Sequence, residues 1–205
     1  MKPGDKLVSQ TGEFNLIDRI RNIFPATVHS DILVGMGDDT AVLRLDDDRV
    51  LLVTCDIQIE DRHFRQDFIS AYQLGRRSIA VNISDIAAMG GKPTFALASL
   101  GLPEGMTVRE YDNLFQGMRD ELQQHGAALI GGNLARSENK LIVDITLLGE
   151  VSKSGYVTRE GAREGDGVYV TGVVGASGSG LEVLKKFGQN YPEKYRQLVE
   201  AHLLP

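Results

Sequence analysis

The sequence predicts an α/β (α+β) fold, a mixed sheet covered by helices on one face. Three observations carry this. Short runs of β-branched and aliphatic residues, such as "VLLVTCD" and "KLIVDITLLGEV", recur along the chain. Two long stretches with helix-start and helix-stop residues lie between such runs, and alternation of this kind builds a sheet with a helical layer. With 205 residues, 42% of them hydrophobic, the chain can fill one substantial core, or one domain plus part of another.

The elements follow in order. "TGEFNLIDRIRNIF" sets Phe14, Ile17, Ile20 and Phe24 at helical spacing, a short amphipathic helix that Pro25 should end. "DILVG", "TAVLRL" and "VLLVTCD" read as strands. The last two are joined by "DDDR", a hairpin whose Asp46, Asp47 and Asp48 belong to a solvated tip. "SAYQLGRRSIAVNISDIAAMGG" is a long helix with Ser70 as N-cap and Gly90–Gly91 as its stop. "TFALASLGL" is a strand. "TVREYDNLFQGMRDELQQHG" is a second long helix, opened by a Thr107–Glu110 capping box and closed by Gly126. "AALIGG" and "KLIVDITLLGEV" supply further strands. After Val151 the texture changes. "GAREGDGVYVTG" reads as a turn and a strand, "GASGSGLEVLKKFG" as a glycine-rich loop entering a helix, and "PEKYRQLVEAHLLP" as a last helix. The expected division is a domain over 1–152 and the beginning of a second, incomplete α/β domain over 153–205.

Composition narrows the function. A net charge of −6 offers no basic footprint, which argues against a nucleic-acid partner. The single cysteine excludes an intramolecular disulfide and suits a reducing compartment. "MKPGDKLVSQ" lacks the apolar core of a signal peptide, and no apolar run approaches membrane-spanning length. The expectation is a cytoplasmic protein without a membrane partner.

Four places put acidic or amide oxygens at element ends: Asp38–Asp39 in "GMGDDTAVL", Thr54 and Asp56 in "VTCD", Asp85 in the long helix, and Asn133 in "GGN". Ser78, Asn82 and Asp85 fall at i, i+4 and i+7, one polar stripe on a helix that is otherwise apolar nearly all round and therefore expected to be buried. A buried carboxylate needs a cation or donors. An ion pair with Arg76, Arg77 or Lys92 is one solution, and an Asx-turn alone would account for "GDD". The other solution is a shared set of divalent ions. Carboxylates on glycine-flanked loops suit Mg²⁺, and the four histidines are too scattered to favour a softer metal. Magnesium held by carboxylates points to phosphate chemistry, yet no P-loop motif occurs. "GVVGASGSGLEVL" is either an anion cradle at a helix start or a tight turn.

Taken in order, "GEFNLIDRI", "GMGDDTAVL", "LLVTCDIQIEDRHF", "GRRSIAVNISDIAAMGGKP", "ALASLGLP", "LIGGNLARSENKLIVDITLLGEV", "TREGAREGDGVYVTG" and "GLEVL" resemble the thiamine-monophosphate kinases of the aminoimidazole ribonucleotide synthetase superfamily. The resemblance implies ATP-dependent phosphorylation of thiamine monophosphate to thiamine diphosphate, with ATP as cosubstrate. It implies several Mg²⁺ ions on Asp39, Thr54, Cys55, Asp56, Asp85 and Asn133. Asp39, Asp56 and Asp85 would then assist the transfer without a general base, because the accepting phosphate oxygen is already anionic. Phe115, Gly132, Asn133 and Arg159 would contact ATP, and His63 the thiamine phosphate. It also implies a homodimer in which two sheets pair into a barrel. The chain departs from the family pattern at Asn133, where many members carry Asp, at Cys55, where Thr is common, and at Ala176, where Asp is common. The family's second-domain "SDG" and "GGEDY"-like segments are not found. Other ATP-using members of the superfamily, of the hydrogenase-maturation or selenophosphate type, and a non-catalytic Mg-nucleotide-binding dimerisation module are the competing readings.

Overall fold

The computed structural model describes residues 7–24 and 29–204. Pro25, expected to end the first helix, lies outside them. That helix, α1 (Glu13–Ile23), forms as its spacing demands, but its apolar stripe is not packed away: Phe14, Ile20 and Phe24 remain exposed.

Six strands make one mixed sheet. They are β1 (Ile32–Val34), β2 (Ala41–Arg44), β3 (Arg49–Ile59), β4 (Lys92–Pro103), β5 (Ala128–Ser137) and β6 (Ile142–Ser152), in the order β1-β2-β3-β6-β4-β5. Every pairing is antiparallel except β4 with β5. The exception has a cause. A helix, α3 (Val108–Gln124), separates β4 from β5, and a crossover of that length returns the chain in the direction it left. The β2–β3 link is the expected hairpin. Asp46 Oδ1 there accepts from the backbone N–H groups of Asp48 and Arg49, at 3.0 and 2.7 Å.

Both long helices cover the same sheet face. α2 (Ala71–Ala88) starts at Ser70, whose hydroxyl accepts from Gln73 N while the Gln73 side chain returns to the Ser70 backbone, a full capping box. α3 carries the expected Thr107–Glu110 box. Leu74, Ile79 and Ile86 of α2 and Leu114, Met118 and Leu122 of α3 close over Val50 and Leu52 of β3, Ala96, Ala98 and Leu100 of β4, and Val143, Ile145 and Leu147 of β6. Strand alternation sends the intervening residues to the opposite face, where Ile57, Phe95 and Leu97 are exposed.

α2 and α3 touch backbone to backbone. A Cβ on Gly75 would lie 2.0 Å from the Leu114 carbonyl oxygen, and one on Gly117 2.0 Å from that of Tyr72. Only glycine at both points allows this approach. Beside it, Arg76 Nε donates to Glu121 Oε2 at 2.7 Å, and Tyr72 donates its hydroxyl proton to Asp120 Oδ2 at 2.8 Å.

Beyond β6 the structure corrects the sequence reading. No strand forms in "GVYVTG": Val168 and Tyr169 are 95% and 92% exposed, because no neighbouring strand supplies the ladder hydrogen bonds. The loop into α4 (Ala176–Phe187) is as expected. α5 (Arg196–Leu203) follows a single 3₁₀ turn over Glu193–Tyr195. These two helices bury Val183, Leu184, Val199 and Leu203 against each other, and that cluster is continuous with the main core.

Candidate active site

The segments that carry acids meet at one end of the sheet. A cleft of about 450 Å³ is lined by Asp38, Asp39, Thr54, Cys55, Asp56, Asp85 and Arg159, with Glu13, Phe14, Ile17, Asp18 and Arg21 of α1 on the remaining side. Residues from the glycine loop before β2, from mid-β3, from late α2 and from the segment after β6 thus face one space.

The adjacent aspartates divide the work. Asp38 is the buried one; its Oδ1 accepts from Asp39 N at 3.0 Å and its Oδ2 from Arg159 N at 3.2 Å. It therefore fixes the loop and ties the segment after β6 to it, as an Asx-type residue does. Asp39 is turned to the cleft and pairs with the Arg159 guanidinium. That pair raises the pKa of Arg159.

Thr54 and Asp56 point toward α2. The Thr54 hydroxyl donates to Asp85 Oδ2 at 2.8 Å, and Asn82 Oδ1 accepts the backbone N–H of Asp56 at 3.1 Å. The polar stripe on α2 is thereby explained. Ser78 and Asn82 are fully buried and satisfied, Ser78 by donating to the Leu74 carbonyl. Asp85, expected to be buried with them, is instead half-exposed where the stripe opens into the cleft. Nor does it form the ion pair its neighbours offered. Arg76 is taken by Glu121, and Arg77 donates to the His63 carbonyl oxygen at 3.2 Å. Desolvation raises the pKa of Asp85; the Thr54 hydrogen bond opposes this, and the charges of Asp56 and Asp39 add to it. The three carboxylates are close enough to feel one another, which is the situation a divalent cation relieves.

The donors here are carboxylate and hydroxyl oxygens, the set that suits Mg²⁺. Among the described residues no three His, Cys, Asp or Glu side chains stand close enough to hold a metal by themselves. With Arg159 seated on Asp39, a cation would need Thr54, waters or phosphate oxygens to complete its shell. The Cys55 side chain is not part of this set. It lies on the opposite face of β3, where its thiol approaches Asp144 Oδ1 at 3.1 Å and its pKa is raised chiefly by burial. Only its main chain faces the acids.

Four expected site residues lie elsewhere. Gly132 and Asn133 are on β5, and β6 and β4 intervene between β5 and β3. Three strand spacings place them roughly 14 Å from Asp56. Gly132 has φ +153°, and a Cβ there would sit 1.9 Å from the Ala98 carbonyl oxygen, so the close approach of β5 to β4 requires glycine. Phe115, on α3, lines a recess of about 420 Å³ with Met118, Leu122 and Leu129 at the β5 edge and packs on Tyr111, ring centroids 4.7 Å apart. His63 follows β3 in a tight turn. Its Nδ1 accepts from Ile59 N at 3.0 Å, which leaves the proton of the neutral ring on Nε2.

Two contributors were missed in the sequence. Asn82 positions Asp56, and its place in the i, i+4, i+7 stripe was the signal. Arg21 donates Nη2 to the Met36 carbonyl oxygen at 2.8 Å and so braces the glycine loop; nothing in its local sequence marked it.

Comparison with known proteins places the chain in a family. Residues 37–151 match the family model described as AIR synthase related protein, N-terminal domain. Thiamine-monophosphate kinase of Bacillus subtilis (strain 168) is 39% identical over 168 residues, covering 82% of this chain and 52% of that protein. A solved structure described as AaThiL complexed with AMPPCP and TMP superposes with a TM-score of 0.88 at 35% identity, over 98% of this chain and 62% of that one. The crystal structure of thiamine monophosphate kinase from Aquifex aeolicus gives 0.83 at 33%, with the same coverage. The chain spans about half to three fifths of the length of these relatives.

Proposed function

This chain belongs to the AIR synthase related family, through that family's N-terminal domain, and from that premise we propose that it is the ATP- and Mg²⁺-binding part of a thiamine-monophosphate kinase. The reaction is ATP plus thiamine monophosphate to ADP plus thiamine diphosphate. The observation that carries the reading is the convergence of Asp39, Thr54, Asp56 and Asp85 on one cleft. Relatives named for this activity, and one whose structure is described with AMPPCP and TMP, support it.

The chemistry asked of the residues is positioning. A phosphate monoester oxygen is already anionic near neutral pH, so no base need deprotonate it, and the difficulty is bringing two anions into line. Asp39, Asp56 and Asp85, with the Thr54 hydroxyl and the main chain at Cys55, would hold Mg²⁺. When bound, the ions neutralise charge on the phosphoryl oxygens. Asn82 holds the Asp56 backbone in place. Arg159, released from Asp39, would add charge-assisted bonds to the triphosphate. His63 offers its Nε2 proton to the acceptor substrate.

The separation of Asn133, Gly132 and Phe115 from the acids supports a homodimer with shared sites. A second copy laid against the open sheet face would bring its β5 edge to the acid cleft, with Phe115 available for adenine and the Asn133 amide oxygen for Mg²⁺. The exposed Ile57, Phe95 and Leu97 on that face are the apolar surface such pairing would cover. No described helix is long and apolar enough to cross a membrane. The reading sets the protein in the cytoplasm, where ATP is supplied.

The test is calorimetric titration of the natural full-length protein with Mg·ATP, followed by assay of thiamine diphosphate formation. Mg²⁺-dependent binding with product formation is expected, and Asp85→Ala should abolish the transfer while circular dichroism stays unchanged. Nucleotide binding without product identifies a non-catalytic module. Wild-type turnover in Asp85→Ala removes the acid cleft from the chemistry.

A further inference from the structure

A cavity of about 310 Å³ lies where the turn after β3 meets α2, α4 and α5. Its charge is one-sided. Arg62, Arg65, Arg77 and Lys185 line it, with the imidazoles of His63 and His202, against a single acid, Asp61, which is already bound by Lys140. Arg65 is neutralised by Asp67 at 2.6 Å, and Lys185 makes only an exposed pair with Glu182 on its own helix, at 2.8 Å. Among the described residues Arg62 and Arg77 have no carboxylate partner. Arg77 is half-buried with one hydrogen bond, to the His63 carbonyl oxygen. Desolvation lowers its pKa with no counter-charge to restore it. His202 meets Ser177 Oγ at 3.2 Å through Nδ1; burial and then the charges of Arg77 and Lys185 lower its pKa. Two cations and an imidazole from three separate helices thus face one another in a partly desolvated recess, an arrangement that an entering anion relieves.

We propose that this cavity is a phosphate-binding site in which Arg77 of α2, Lys185 of α4 and His202 of α5 converge on one phosphate group and fasten the α4–α5 pair to the first domain. Guanidinium geometry suits tetrahedral oxyanions, and the volume admits a phosphate with a small organic substituent. His63, assigned above to the acceptor substrate, also lines this cavity, but none of the residues of the acid cleft does, so the anion held here lies away from the Mg²⁺ ligands. Arg77 and Asp85 are both on α2, separated along its axis by about 12 Å at 1.5 Å per residue, and the acid cleft selects cations. The inference goes beyond the kinase reading and does not depend on it.

The experiment uses the full-length protein with a chelator present, so that no metal can draw phosphate to the acid cleft. Inorganic phosphate is titrated against chloride at matched ionic strength, read by thermal melting and by hydrogen exchange in α4 and α5. A saturable rise in Tm with slowed exchange in both helices is expected. Arg77→Gln should weaken the response roughly tenfold and the exposed Lys185→Gln about two- to fivefold. If Arg77→Gln does not fold, Lys185→Gln decides. Phenyl phosphate distinguishes the sources: tighter binding than inorganic phosphate marks an organic phosphate as the occupant, and equal or weaker binding marks the free ion. An equal response to chloride, or an undiminished phosphate response in Lys185→Gln, overturns the proposal.

Discussion

Asp38 and Asp39 are neighbours with opposite duties, one spending its oxygens on backbone N–H groups and the other facing the cleft. Residue type alone could not separate them; the Asx-turn reading of "GDD" fits Asp38, and Asp39 is the one proposed to hold Mg²⁺. Arg159 is the complementary case. Its pairing with Asp39 spans 120 positions in sequence, so nothing local announced it. Because the guanidinium sits on a carboxylate proposed to bind Mg²⁺, the two cations compete. Arg159→Gln should therefore raise Mg²⁺ affinity in the absence of nucleotide, by about fivefold at most, the limit for an exposed ion pair. The same substitution should weaken binding of Mg·ATP, because the triphosphate loses a cation. Calorimetric titrations with Mg²⁺ alone and with Mg·ATP measure both, and a fall in both affinities would sink the competition.

At the scale of elements, helix signals were legible because they are local. Ser70, Thr107 with Glu110, and Gly126 each act within a few residues, and each cap stands where the chain spelled it. Glu110 accepts from both the backbone N–H and the hydroxyl of Thr107, which lowers its pKa. A depressed folded-state pKa contributes stability above the ordinary glutamate value and loses it as pH falls through the lowered one. Thr107→Ala should cost about 1 kcal/mol. The difference in Tm between wild type and variant should be largest near neutral pH and shrink in that acidic window; a gap constant with pH argues against the box. The contact between α2 and α3 was not legible, since nothing in the local sequence marks Gly75 and Gly117 as points of backbone approach. Their carbonyl-to-Cα approach makes Gly75→Ala destabilising by about 1–3 kcal/mol through overpacking, although alanine is the better helix former. A melting temperature raised by that substitution would mean the helices stand further apart.

For the whole molecule, the sheet order is what the sequence conceals. β3 and β5 look like partners in one site because "VTCD" and "GGN" carry similar oxygens, yet β6, the last strand in the chain, inserts beside β3 and holds β5 away. Long-range pairing of that kind depends on which faces need covering, and no single stretch encodes it. The consequence is a molecule with its acids and Arg159 at one place and Gly132, Asn133 and Phe115 at another, and with an apolar sheet face left open on the side away from α2 and α3. The proposed homodimer would answer both features, with a second copy placed on the open face. Leu97→Asp puts a charge at the middle of that face without touching the acid cleft, the capping boxes or the helix-side core. Light scattering should then report the proposed dimer for the wild type and a monomer for the variant, with the circular dichroism spectrum unchanged. If the site is shared, Mg·ATP affinity in the monomer should fall by at least tenfold, while binding of Mg²⁺ alone persists, because Asp39, Asp56 and Asp85 all come from one chain. A monomeric Leu97→Asp protein that binds Mg·ATP as tightly as wild type would mean that the acids need no partner, and that Asn133 and Phe115 have no part in holding the nucleotide.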